Sequence, residues 1–180
     1  MINNATSGLK ILLSAAALMW VIQIANLLLG YQLSSFGIVP RDLGHLFGII
    51  AAPFLHWSLG HIISNTIPFV ILGFLVHQSK KLIFVSVFVW LVGGLLVWLF
   101  ARNAVHAGAS GMIMGYFGFL LSHAFFTRSL RSVLLTIAAV LLYGGIVFSL
   151  FDFRSHISFE GHIFGFLAGV ISAWLVSKST

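Results

Sequence analysis

Long apolar stretches separated by short polar segments run through this chain of 180 residues. Each stretch is about as long as the roughly 20 residues that an α-helix needs to cross a bilayer. Polarity does not alternate within a stretch, which favours helices over the strands of a membrane barrel. The pattern therefore predicts a single all-α membrane domain that covers residues 1–180. Its six spanning helices are expected at about residues 9–31, 57–76, 82–100, 108–126, 133–151 and 161–176.

The segment 32–56, between the first two predicted helices, differs from the apolar stretches. Arg41 and Asp42 make it too polar to span a membrane, whereas its apolar run 46–50 is unlike a free loop. Amphipathic segments of this kind lie in the membrane interface or dip partway into it. We therefore expect an interfacial first loop. The stretch 9–31 is longer than the core of a signal peptide, so it is predicted to be a retained helix.

Composition supports a membrane protein and excludes several other classes. Hydrophobic residues make up 60% of the chain and charged residues only 7%, with a mean hydropathy of +1.11. Soluble domains are nearer a quarter charged. The chain has no cysteine, so disulfides and thiolate metal sites are excluded. The net charge of +6 does not indicate nucleic-acid binding, because the basic residues stand at the ends of apolar stretches.

The distribution of these basic residues predicts the orientation. Cytoplasmic loops of membrane proteins carry an excess of Lys and Arg. With a cytoplasmic N-terminus, six basic residues lie inside and three outside. We therefore expect a protein of the plasma membrane with both termini in the cytoplasm. The inside set is Lys10, Lys80, Lys81, Arg128, Arg131 and Lys178, and the outside set is Arg41, Arg102 and Arg154.

A serine flanked by glycines opens the fourth predicted helix, in the motif Gly108-Ala109-Ser110-Gly111. The sixth helix begins near His162, and both helices carry glycines at three- or four-residue intervals. Stripes of small residues let helix backbones approach closely in lipid. Packing of these two helices would bring Ser110 and His162 together at a similar depth, near the outer face. The stripes consist of Gly111, Gly115 and Gly118 on one helix and Gly161, Gly165 and Gly169 on the other.

Ser110 and His162 form a candidate catalytic dyad. A serine hydroxyl is a poor nucleophile until a base accepts its proton, and histidine is the usual base near neutral pH. On the second helix, His61 and Asn65 lie four residues apart, and near Ser110 they would be suitable donors for an oxyanion, together with the helix N-terminus. Glu160 is about 200° from His162 on a helix, so the sequence favours a dyad over a triad.

Taken together, these residues resemble the rhomboid family of intramembrane serine proteases, over nearly the whole chain. The resemblance implies that Ser110 is the nucleophile and that His162 is the general base and acid. It also implies an oxyanion site of His61, Asn65 and the backbone around Ser110, which includes Gly108 and Ala109. Family members cleave transmembrane segments near their membrane-entry point, and no cofactor or metal is expected. The matching elements are Phe54-Leu55-His56, His61, Asn65, residues 108–111, and Gly161-His162 with Gly165 and Gly169.

Two positions depart from the family pattern. Met114 stands where family members usually carry an aromatic residue that packs against the catalytic imidazole. A thioether can also contact a ring edge. The first loop lacks the usual Trp-Arg pair, and Phe47-Gly48 is expected in its place. His56 is expected to support the site by holding the first loop to the second helix.

Three other functions compete with a protease. A metalloprotease of the common kind needs a helical His-Glu-x-x-His motif, which this chain lacks. A haem-binding membrane protein could use His61 and His162, but that function leaves the motif around Ser110 unexplained. An inactive rhomboid relative would bind transmembrane helices without cutting them. For single residues, helix packing by Ser110 and a structural role for His162 remain open.

Overall fold

The structure is a computed structural model that describes residues 2–152 and 158–178. Over these residues it is helical apart from loops and one isolated antiparallel bridge, between Ile38 and His106, which confirms the all-α fold class. The predicted linker residues Arg154 and His156 lie outside the described residues. The α-helices are α1 (Ile2–Leu28), α2 (Gly48–Ala51), α3 (Leu59–Gln78), α4 (Leu82–Phe100), α5 (Ser110–Thr127), α6 (Leu130–Tyr143) and α7 (Phe159–Lys178).

Among the described residues, five segments are long and apolar enough to cross a membrane: those of α1, α3, α4, α6 with its extension to Phe151, and α7. The fourth predicted span, α5, has 18 residues but is not among them. It contains an unbroken buried run from Met112 to Leu120. A helix enclosed by other helices faces little lipid, so it can include glycine and polar residues at lower cost. The protein is therefore a multi-pass membrane protein with α5 at its centre.

The backbones of α5 and α7 touch along their glycine stripes, as the sequence predicted. A Cβ atom on Gly165 would lie 2.1 Å from the carbonyl oxygen of Gly111. A Cβ on Gly169 would lie 2.0 Å from the carbonyl oxygen of Gly115. Such distances leave no room for a side chain. Only glycine allows these two helices to approach so closely.

Several helix ends differ from the prediction. The fifth apolar helix begins at Leu130, not at residue 133, because the Ser129 side chain caps it by accepting a hydrogen bond from Ser132 N. Beyond Tyr143 the chain tightens into a 3₁₀ helix, Gly144–Phe151, where one continuous α-helix was expected. Within α4, the turn Val89–Gly93 is widened to a π-helix.

The first loop is attached to the helices by polar side chains. Asn26 Nδ2 donates to Ser34 Oγ at 2.9 Å and to the carbonyl oxygen of His56 at 3.0 Å. The loop leaves Leu43 and Phe47 largely exposed, at 74% and 68% of their surface. Exposed apolar side chains on such a loop favour the predicted position in the membrane interface. The expectation that Phe47-Gly48 replaces the family's Trp-Arg pair stays a prediction.

Candidate active site

A cavity of about 910 Å³ opens between α3, α5, α7 and the 3₁₀ segment. Four predicted site residues line it together: Ser110, His162, His61 and Asn65. They come from three helices, and His61 and His162 are 101 residues apart in sequence. The fold thus gathers into one cavity the residue types that the motifs singled out.

Ser110 is the first residue of α5, and the turn before it depends on glycine. Gly108 has a φ of +125°, a conformation that other residues rarely adopt. Its N–H donates to Ala52 O at 2.9 Å, and the N–H of Ala109 donates to His56 Nε2 at 3.4 Å. These two N–H groups are therefore engaged within the protein. The first N–H groups of α5 itself, beginning with Ser110, have no partner within the helix.

His162 lies in the first turn of α7 and is buried, with 9% of its surface exposed. Its Nδ1 is 3.0 Å from the carbonyl oxygen of Ser149. A carbonyl oxygen only accepts hydrogen bonds, so Nδ1 carries the ring proton and Nε2 keeps a lone pair in the neutral ring. A main-chain carbonyl therefore orients this imidazole. Glu160 instead accepts from Arg102, whose N and Nε lie 3.4 and 3.5 Å from Oε1.

The α3 residues lie directly beside the turn that precedes Ser110. A Cβ on Gly108 would be 2.7 Å from His61 Cε1 and 3.5 Å from Asn65 Nδ2. Asn65 Nδ2 is buried without an acceptor among the described residues. A buried donor left unpaired costs about 1–3 kcal/mol. An oxygen atom that enters the cavity beside Gly108 would offset that cost.

His56 supports the turn before Ser110 through a hydrogen bond to its main chain. It is fully buried, and its Nε2 accepts the Ala109 N–H, which joins the end of the first loop to the serine motif. Its ring meets His61 edge to face, with 4.9 Å between centroids. Burial lowers the pKa of His56 to about 3, with a further lowering by nearby His61 and an opposing effect of the Phe54 carbonyl. The ring is therefore neutral and remains an acceptor.

Met114 is fully buried one turn after Ser110 and lines the same cavity. Its Sδ lies 3.7 Å from Ser149 Oγ, which donates its hydrogen to Ile146 O at 2.7 Å. Met114 thus contacts the residue whose carbonyl holds His162. Ser149 could not be predicted, because every residue has a carbonyl group and no motif marks the one that is used.

Comparisons with known proteins agree with the motifs. A family profile described as the Rhomboid domain matches residues 43–179. An uncharacterized protein of Mycobacterium tuberculosis is 32% identical over 177 residues, which cover 92% of this chain and 74% of that protein. An uncharacterized protein of Mycobacterium leprae is 30% identical over 177 residues, with 92% and 70% covered. A protein of Acanthamoeba polyphaga mimivirus with the word rhomboid in its name is 30% identical over 127 residues, with 66% and 68% covered.

The profile match begins in the first loop and includes every residue of the cavity described above. The mycobacterial relatives are similar along almost the full length of the chain. Because the Rhomboid profile covers residues 43–179, this chain belongs to the rhomboid family.

Proposed function

We propose that this protein is an intramembrane serine endopeptidase that cleaves transmembrane segments of other membrane proteins with a Ser110–His162 dyad. The observation that carries the proposal is the hydrogen bond from His162 Nδ1 to Ser149 O, 3.0 Å long. It leaves Nε2 as a proton acceptor in a cavity that Ser110 also lines. A base in the correct tautomer is what a serine nucleophile requires.

The reaction begins when Ser110 Oγ attacks the carbonyl carbon of the scissile peptide bond. Nε2 of His162 accepts the hydroxyl proton, and the carbonyl π electrons move to oxygen to give an oxyanion. The Nδ1 hydrogen bond to Ser149 O supports the imidazolium that forms. Asn65 Nδ2, His61 and the N–H of Ser110 are the donors for the oxyanion.

The tetrahedral intermediate then collapses as its C–N bond breaks. The imidazolium of His162 gives its proton to the leaving amine, and an acyl ester on Ser110 remains. Water attacks this ester while His162 accepts one of its protons. Loss of Ser110 as the leaving group, with return of that proton, releases the carboxylic acid product.

The site is proposed to open toward the outer face of the plasma membrane, with both termini in the cytoplasm. The positive-inside rule supports this orientation, because six basic residues lie at the opposite end from Ser110 and His162. Substrates are then transmembrane segments that enter from the bilayer, cut near their outer ends. The lipid bilayer is the other expected partner.

Labelling by a fluorophosphonate probe and cleavage of a model transmembrane substrate test the dyad, on the full chain in detergent. We expect the wild type to label and cleave, and Ser110→Ala and His162→Ala to do neither. Ser64→Ala removes another cavity serine, and His45→Ala an exposed loop histidine, so both serve as controls that keep activity. Cleavage that persists in Ser110→Ala would overturn the mechanism.

One observation favours a second function, an inactive rhomboid-like protein that binds transmembrane helices. Met114 occupies the position at which the family usually places an aromatic ring against the imidazole. Under this alternative the folded wild type crosslinks to a transmembrane peptide but neither labels nor cleaves. The same experiment therefore separates the two functions.

A further inference from the structure

His106 is a buried histidine outside the proposed dyad, in the linker that leads to Ser110. Only 4% of its surface is exposed. Its backbone pairs with Ile38 of the first loop through two hydrogen bonds of 2.9 Å, one in each direction. The main chain of His106 thus fixes the linker to the first loop and leaves its ring directed at other segments.

Both ring nitrogens of His106 have protein partners. Nε2 lies 3.1 Å from the carbonyl oxygen of Arg102, and Nδ1 lies 2.7 Å from Ser158 Oγ. Because the carbonyl only accepts, Nε2 carries the proton and Nδ1 accepts the hydrogen of the Ser158 hydroxyl. The imidazole therefore bridges the linker and the segment that begins α7.

Ser158 in turn holds the first turn of α7. Its Oγ accepts the N–H of Gly161 at 3.2 Å, and its carbonyl oxygen accepts the N–H of His162 at 3.2 Å. This is the pattern of a serine helix cap. Donation of the hydroxyl hydrogen to His106 leaves a lone pair of Oγ directed at Gly161.

We propose that His106 is a positioning residue that sets the distance between the nucleophile and the base. It precedes Ser110 by four residues, and its partner Ser158 precedes His162 by four. His106, Ser158 and Ser110 also line both the large cavity and a smaller one of about 60 Å³. The His106–Ser158 bond therefore forms part of the wall of the site. This inference rests on the proposed protease function.

A second link runs beside the first. Arg102 contacts Glu160 Oε1 and lies over the Phe159 ring, 5.1 Å from its centroid. Arg102 and Glu160 are also the charged groups that face His106, and burial, the larger effect, lowers the pKa of this histidine. Since the ion pair still holds the start of α7, loss of the His106–Ser158 bond shifts the helix start without detaching it.

The test compares paired variants of the full-length protein. Ser158→Ala removes the hydroxyl, whereas Ser158→Thr keeps it. His106→Leu removes both ring nitrogens, whereas His106→Asn can place Oδ1 near the position of Nδ1. We expect Ser158→Ala and His106→Leu to lower kcat about 10- to 100-fold with KM little changed, because a small misplacement of reacting groups is costly. The conservative variants should recover most of the activity.

The double variant of His106→Leu and Ser158→Ala should be no slower than the worse single variant, since both substitutions remove the same hydrogen bond between the two side chains. Ser177→Ala, at the far end of α7, is the matched control and should keep full activity. Thermal unfolding is measured on every sample. Equal kcat in wild type and Ser158→Ala, or a loss that only follows the folded fraction, would overturn the inference. A folded wild type that never labels refutes the proposed protease function instead.

Discussion

At the scale of single residues, the main distinction of this site is the partner of His162. In a Ser–His–Asp triad a buried carboxylate orients the histidine and stabilises the imidazolium. Here Ser149 O performs the orienting role, 3.0 Å from Nδ1. A carbonyl dipole fixes the tautomer as well as a carboxylate does, but it stabilises positive charge less. In the proposed mechanism, more of the catalysis must then come from the stabilisation of the oxyanion.

Asn65 is a proposed oxyanion donor, so its substitution tests this requirement. Its Nδ2 is buried without an acceptor among the described residues and lies beside Gly108. We expect Asn65→Ala to lower kcat about 10- to 1000-fold, the range for loss of one oxyanion donor, with little change in KM. Steady-state cleavage of a transmembrane substrate gives both constants.

Asn103→Ala is the control for this prediction, because Asn103 is exposed on the linker and its side chain contacts Arg41. This variant should cleave at the wild-type rate. An unchanged rate in Asn65→Ala would remove Asn65 from the oxyanion site.

At the scale of helices, the site depends on the close contact between α5 and α7. Ser110 and His162 lie in the first turns of these two helices, so any change in helix separation changes the distance between the proposed nucleophile and the proposed base. The contact is between backbones: the nearest atom to a Cβ on Gly165 would be the carbonyl oxygen of Gly111. A backbone atom cannot rotate away as a side chain can.

Gly165→Ala tests this contact. In an isolated helix the change from glycine to alanine is favourable by about 1 kcal/mol. Here the new methyl would lie 2.1 Å from Gly111 O, so α5 and α7 must separate. We expect a loss of about 1–3 kcal/mol of stability, or roughly 3–10 °C in Tm, and slower labelling of Ser110.

Gly60→Ala on α3 is the matched helical control, because its nearest neighbour would be Ser58 Oγ at 3.9 Å, an ordinary contact. It should neither lower Tm nor slow labelling. A Tm of Gly165→Ala equal to or above that of wild type would contradict the close contact.

The sequence predicted this helix pair better than it predicted the helix ends. Glycines at intervals of four indicate a close approach, because few other roles in lipid require them. The 3₁₀ segment Gly144–Phe151 was not predicted, since its composition is as apolar as that of the helix before it. For the same reason the sequence could not place Ser149 O beside His162. A hydrogen bond accepted by a main-chain carbonyl leaves no trace in the type of the residue that carries it.

At the scale of the whole molecule, the acidic residues gather at one end of the helix bundle. All three acidic residues, Asp42, Asp152 and Glu160, belong to the end that carries Ser110 and His162. Two histidines at this end, His56 and His106, are buried outside the spanning helices, and burial lowers the pKa of each. The stability of the fold should therefore depend on pH in the acidic range.

The sign follows from proton binding. An unfolded histidine titrates near pH 6.5, whereas the folded pKa of His56 is about 3. Between these values the unfolded chain binds more protons than the folded one, so the free energy of unfolding falls as pH falls. His56 alone should contribute a slope of about 1.4 kcal/mol per pH unit between about pH 6 and pH 3. Depression of the His106 pKa acts in the same direction.

The measurement is denaturant unfolding in detergent at pH 7, 6, 5 and 4, for wild type and His56→Gln. The variant lacks the imidazole nitrogen that accepts the Ala109 N–H, so it should be less stable than wild type at pH 7. Its free energy of unfolding should, however, change less with pH. Ser177→Ala, which removes no titratable group, should keep the wild-type slope. Parallel profiles for wild type and His56→Gln would show that His56 takes up a proton in the folded state. The imidazole could then not be the fixed acceptor that holds the serine turn.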